Sequence, residues 1–183
     1  MAKVRGGLGK ALERTLNRVG EGMRTDADRE IRAVYHVKRK YTLRNLKLFP
    51  AIAKYNRYWV MVRAEGAKIP LIGFKTSPAS PRARPPKAGT LVSVRKDKTG
   101  KRIKHGFVAR MESGHVGVFE REIVGGKRVG RLKIIEMRGP SVKGMLRKEV
   151  MQTGAVLERA KERADKRLQH EVKQVLRQAG FRD

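Results

Sequence analysis

The chain contains no cysteine. Disulfides, thiolate zinc sites and cysteine nucleophiles are therefore excluded, and the absence suits a reducing cytoplasm. Aromatic residues make up only 5% of the 183 positions and apolar residues 39%. A small core is expected, with part of the stability supplied by partner subunits. No stretch approaches the roughly 20 apolar residues that a membrane helix needs. The opening Met1-Ala2-Lys3-Val4-Arg5-Gly6-Gly7 lacks the apolar centre of a signal peptide. The expectation is a soluble chain that is not exported and has no membrane partner. No internal repeat is found, which favours one domain over residues 1–183.

Negative charge is scarce beside positive charge. The 17 Asp and Glu face 45 Lys and Arg, a formal net charge of +28. Such a chain repels itself and is drawn to polyanions, either nucleic acid or an acidic protein face.

Helical rhythm runs from about Leu8 to Val37. Leu8, Ala11, Leu12, Leu16 and Val19 recur at spacings of three and four. Gly20 and Gly22 weaken the middle, and Thr25-Asp26-Ala27-Asp28 offers a cap for a restart, so one long helix or two in line are expected within an N-terminal region 1–46. Val37-Lys38-Arg39-Lys40 matches a nuclear-targeting patch, but a cluster of four is expected by chance in so basic a chain. A short helix is expected at Tyr41–Asn45, with Thr42 as its cap.

The period then changes. Strands are expected at Tyr58–Ala64, Ile69–Phe74, Thr90–Arg95, Arg102–Arg110, Val116–Arg121 and Leu132–Glu136, within a β core 56–137. Pro70 marks an edge or a strand start, because proline cannot donate to a ladder. Residues 76–89 hold four prolines and the cations Arg82, Arg84 and Lys87. An extended, exposed loop is expected there. Ser113-Gly114 is a turn dipeptide between two β-prone runs. From Ser141 the helical period returns, with Val142, Met145, Leu146, Val150, Val156, Leu157 and Ala160 on one face and a stop at Gly180. Gly154 is the place for a kink or break in this C-terminal region, 141–179. The fold class is α+β: a small, mostly antiparallel sheet flanked by a long N-terminal and a long C-terminal helix.

No catalytic constellation emerges. Gly9-Lys10-Ala11 brushes the phosphate-loop pattern, but Val4 and Ala11 stand where a glycine and a hydroxyl are needed, and Gly126-Lys127-Arg128 fails the same way. Ser113 and His115 beside Glu112 invite a hydrolase reading. A Ser-Gly turn breaks the shared face, and no nucleophile elbow is present, so turn and hydrogen-bonding roles are favoured. His36, His105, His115 and His170 lack metal-ligand spacing. The expectation is a non-enzyme without cofactor or metal. A free nucleic-acid-binding protein, ribosomal or nucleoid-like, stays open on charge alone, although no recognisable nucleic-acid module is present.

Three stretches taken together carry a resemblance. They are Ile69-Pro70-Leu71-Ile72-Gly73-Phe74, then Gly106-Phe107 through Ser113-Gly114-His115-Val116-Gly117-Val118-Phe119-Glu120-Arg121, then Ile134 through Gly139-Pro140-Ser141-Val142 to Leu146. In this order and spacing the chain resembles the minor tail protein Z family of tailed bacteriophages and prophages. The resemblance implies a structural virion protein, a tail completion protein at the head-proximal end of the tail tube that takes part in head–tail joining after assembly in the host cytoplasm. It implies a homohexameric ring and, as partners, the tail terminator, tail tube and head–tail connector. It assigns structural roles to Pro70, Phe107, Ser113, Gly114, His115, Gly117, Phe119, Gly139, Pro140 and Ser141. The charge adds a separate expectation. Arg82, Arg84 and Lys87, or the Lys127-Arg128 loop, meet duplex DNA phosphates without sequence preference, or an acidic connector face.

Overall fold

The computed structural model describes residues 2–84, 86–124, 127–128, 133–150 and 154–180; for 2–6, 123–124, 127–128 and 149–150 the description is of the backbone alone. One helix, α1 (Ala2–Val34), carries the whole N-terminal rhythm. Gly20 and Gly22 do not interrupt it. They are points of close approach. A Cβ at Gly20 would run into Val60 and come within 2.8 Å of Leu48 Cδ1, and one at Gly22 would overlap the Arg163 guanidinium. The helix-propensity cost of each glycine, about 1 kcal/mol, is the condition for that proximity.

Thr25–Asp28 is likewise not a cap. Asp26 and Asp28 lie inside α1 with side chains only 4% exposed. They are held there by cations. Arg163 donates to Asp26 Oδ2 at 2.9 Å, with Arg29 and Arg159 at 3.9 and 4.0 Å. Asp28 takes Arg32 at 3.3 Å and Arg39 at 3.5 Å, and also accepts the Thr42 hydroxyl. Thr42 is therefore a buried interior residue of α2 (Arg39–Asn45), not its cap. Arg39 of the basic cluster works inside the fold, and so does Lys38, whose Nζ donates to the Ile72 carbonyl at 2.9 Å.

Twelve short strands follow, paired antiparallel in five small sheets among the described residues. The strand β1 (Leu46–Phe49), absent from the expectation, pairs with β2 (Met61–Ala64). Its four residues carry too brief an alternation to stand out. The expected strand Ile69–Phe74 is interrupted. After β3 (Lys68–Pro70) a 3-10 turn at Leu71–Gly73 leads to β4 (Lys75–Ser77). Pro70 thus ends its strand, in a two-stranded pair where no ladder needs its missing N–H. β4 pairs with β5 (Thr90–Ser93), and β5 with β6 (Lys101–Ile103). The expected strand Arg102–Arg110 splits at the turn Lys104–Gly106 into β6 and β7 (Phe107–Arg110). β7 pairs with β8 (Val116–Arg121), which also pairs with β11 (Ile134–Glu136). Between them lie β9 (Ile123–Val124) and β10 (Lys127–Arg128). Leu132 lies outside the described residues.

β12 (Arg138–Ser141) lies where no strand was expected. It pairs with β3, and the register shifts between Arg138 and Ser141, where Pro140 has no N–H to give. Ser141 then caps α3 (Val142–Met145), its Oγ accepting from Gly144 N at 3.2 Å. A π-helical stretch, Leu146–Val150, follows. Gly154 has φ +65°, and α4 (Ala155–Gln178) starts after it. The C-terminal period is therefore two helical pieces. Gly180, at φ +90°, sits just past the end of α4 as a left-handed stop.

The core gathers where α1 ends over the strands. Ile31, Leu46, Ile69, Phe74, Val118, Val142 and Met145 are nearly or fully buried there. Burial of each large side chain contributes about 1.5–3 kcal/mol. α4 lies antiparallel along α1: Glu30 meets Arg159, Asp26 meets Arg163, and Arg14 meets Glu171. Glu171 is 2% exposed and also takes Arg167 at 2.9 Å. The interhelix seam is thus as much ionic as apolar.

Asp26→Ala is expected to destabilise by about 2–4 kcal/mol in urea unfolding, because it strands arginines at a buried site. Arg18→Ala, which removes the exposed Arg18–Glu21 pair at 3.3 Å, should cost no more than about 0.5 kcal/mol. Equal effects would mean that the seam adds nothing beyond surface charge.

Candidate functional site

The hairpin β7–β8 forms a rigid corner. Met111 N donates to His115 O and Gly114 N to Met111 O, each at 2.8 Å, and Gly114 takes φ +79° with open space around it. The turn therefore wants the glycine for its backbone alone. Ser113 is exposed at the tip. His115 Nε2 donates to Glu136 Oε1 at 2.6 Å, and Arg138 holds the other oxygen at 3.1 Å. The imidazole meets the Phe119 ring edge-on, with centroids 6.3 Å apart, and Phe107 lies tilted against Phe119 at the same separation. Gly117 leaves room for this group, since a Cβ there would come within 2.8 Å of the Phe119 ring.

The corner is held by hydrogen bonds and ring contacts. His115 has a carboxylate orienter, but its bonded ring nitrogen faces Glu136, and Ser113 makes no hydrogen bond to it. Among the described residues no three His, Cys, Asp or Glu side chains converge as metal ligands.

The second motif fastens the corner to the core. Met137 N donates to Val118 O at 2.8 Å and Leu71 N to Met137 O at 2.9 Å. Gly139 lets the Phe74 ring lie close, 2.8 Å from where its Cβ would be. Pro70 stands opposite Arg138 in the register. The structure thus groups Phe107, His115, Gly117 and Phe119, and sets Pro70 opposite Arg138 beside Gly139; Ser113 and Gly114 shape the turn, Pro140 lies in β12, and Ser141 caps α3.

The basic loop is separate. It springs from the β4–β5 pair, whose last rung joins Ser77 to Leu91. Gly89, at φ +80°, packs on the Ile103 and Lys104 carbonyls as the loop returns. Between these anchors Arg82, Arg84 and Lys87 are exposed, and none has a carboxylate partner among the described residues. Pro85 lies outside the described residues, as do Gly125, Gly126 and the side chains of Lys127 and Arg128. The backbone of the latter two forms β10, paired with β9.

A third basic feature went unforeseen. Arg32, His36, Lys38, Lys75 and Lys96 line an open hollow of about 320 Å³ at the end of α1. Partial burial, then Lys75 and Lys96, hold His36 below its ordinary pKa of 6.5. Nearby, Arg95 clasps Asp97 with two bonds of 2.8 and 2.9 Å, and these bonds keep that carboxyl below its usual range. The Glu30 carboxylate, with Asp26 behind it, raises Arg159.

A family model described as prophage minor tail protein Z (GPZ) matches residues 5–181. The chain belongs to this family. It is a structural protein of the phage tail, located with the tail in the virion, where it meets other virion components. No curated protein and no solved structure matches it. The match extends past the three motif stretches into both long helices, so minor tail protein Z here includes the ionic seam. Asp26 and Glu171 of that seam, and Asp28 at the α1–α2 contact, are buried structural acids that sequence reasoning missed. The available signal was an acid three or four residues from an arginine, as in Asp26–Arg29 and Asp28–Arg32.

His36 is expected to titrate below 6.5 when followed by NMR. Its pKa is lowered in the folded protein, so the unfolded chain takes the proton first. The stability from neutral His36 is complete above 6.5 and is lost as pH falls through its folded pKa. His36→Gln should flatten stability against pH in this window; an unchanged slope would contradict the assignment.

Proposed function

We propose that this minor tail protein Z acts as a tail completion protein. It forms a homohexameric ring at the head-proximal end of the tail tube and takes part in head–tail joining. Its neighbours there are the tail terminator, the tube and the head–tail connector. The observation that carries this reading is the disposition of charge on a tail-family protein. A chain of net charge +28 buries Asp26, Asp28 and Glu171 in arginine pairs, and Arg82, Arg84 and Lys87 stand exposed with no carboxylate partner among the described residues. Around a channel such a surface attracts duplex DNA by its phosphates, without sequence preference. Arg82, Arg84 and Lys87 are the contacts proposed, on a loop whose two ends are fixed by the β4–β5 ladder. Lys127 and Arg128 are the second candidates. Membership in a tail family favours this role over a free ribosomal or nucleoid-like binder, and no part of it calls for catalysis, cofactor or membrane.

Electron microscopy of particles with this chain labelled should place the label at the head-proximal end. Label spread along the tube would rule the reading out. Arg82→Glu with Arg84→Glu should lower joined, DNA-retaining particles at least tenfold while leaving the melting temperature unchanged. Unimpaired joining would remove the loop from the mechanism.

A further inference from the structure

The few aromatic residues are unevenly placed. Ten occur in the chain, and four of them fall between Phe49 and Trp59. Those four, Phe49, Tyr55, Tyr58 and Trp59, are the exposed aromatics among the described residues, with Tyr55 70% and Trp59 50% exposed. The β1–β2 hairpin places Phe49 and Trp59 on its outer side, with Tyr55 in the turn between its strands and Tyr58 on the side toward α1. Its inner face, Leu46, Leu48, Val62 and Ala64, turns toward α1 and the core, while Phe49 and Met61 face each other on the outer side. Trp59 follows on that side by the strand period of two. At the loop end Tyr58 packs toward Gly9 of α1. Leu8 and Leu12 flank that point, 40% and 38% exposed.

Such a concentration of exposed aromatic side chains on one hairpin, in a chain so poor in apolar residues, marks an interaction site. Its composition is that of an interface centre, where Trp, Tyr, Met and Arg are enriched. Its charge selects the occupant. Residues 46–64 contain Lys47, Lys54, Arg57 and Arg63 and no carboxylate. A second copy, whether face to face or through another face, brings a chain of net charge +28 against these cations, which costs affinity. Bases are poor occupants as well. Arg57 lies over the Trp59 ring at 5.3 Å and Lys54 over Tyr55 at 5.7 Å, and duplex DNA presents no free base faces to stack.

We propose that the outer face of the β1–β2 hairpin, centred on Trp59 with Phe49, Tyr55 and Met61, docks an apolar segment with an acidic rim on a different virion protein. This rests on the tail reading above and names a surface distinct from the basic loop. The aromatic rings supply the buried contact, and the four cations set partner choice and orientation.

The test uses assembled particles. A photo-crosslinking benzoylphenylalanine replaces Trp59, or Tyr55 in a second variant should the first not enter particles, and the linked peptide is identified by mass spectrometry. A cross-link to another virion protein within an acidic segment is expected. Cross-links only to a second copy or to DNA, or none from either position in particles that contain the chain, would overturn the proposal. Particles that lack the chain altogether would instead defeat the tail reading. In parallel, Lys54→Glu with Arg63→Glu should reduce incorporated copies at least tenfold, whereas Lys98→Glu with Lys101→Glu, on the β5–β6 hairpin, should not. Equal losses from both pairs would show general charge to be responsible and would sink the specific surface.

Discussion

The structure depends on a small number of buried carboxylates in a sea of cations. Asp26 joins α1 to α4 through Arg163, Asp28 joins α1 to α2 through Arg39 and Thr42, and Glu171 joins α4 back to α1 through Arg14. Without them the two long helices would carry arginines into one another. A buried ion pair is weak evidence of net stability, since desolvation opposes the Coulombic gain. In this chain its effect is better seen as register. Acids set apart along two helices accept only one antiparallel alignment.

Gly20 and Gly22 belong to the same constraint. Arg163 reaches Asp26 only because no side chain stands at Gly22, and the β1–β2 hairpin seats on α1 only because none stands at Gly20. Residues that weaken a helix in isolation are thereby the ones that let it be packed on two sides. This is why the sequence read alone suggested an interruption: local propensity argued for a break at Gly20–Asp28, and tertiary contacts overrode it.

Legibility followed the length and strength of local pattern. The α+β class and the long flanking helices rest on periodicity that runs for many residues, the Ser113-Gly114 turn, the helix start at Ser141 and the Gly180 stop on compact local signals, and the structure bears them out. Leu46–Phe49 and Arg138–Ser141 gave no such signal, because their strand character comes from partners far along the chain. The motif corner could be recognised as a family mark without being understood. That Glu136 would be the partner of His115 follows only from the pairing of β11 with β8. The buried acids were hidden because Asp and Glu read as surface residues until a fold surrounds them.

The left-handed Gly154 separates two kinds of positional control. Upstream, α3 is phased by the sheet through Ser141 and β12. Downstream, α4 is phased by its ion pairs with α1. A residue inserted just before Gly154 would therefore leave the face that α4 shows to its surroundings unaltered. One inserted within α4 would turn everything beyond it by about 100°.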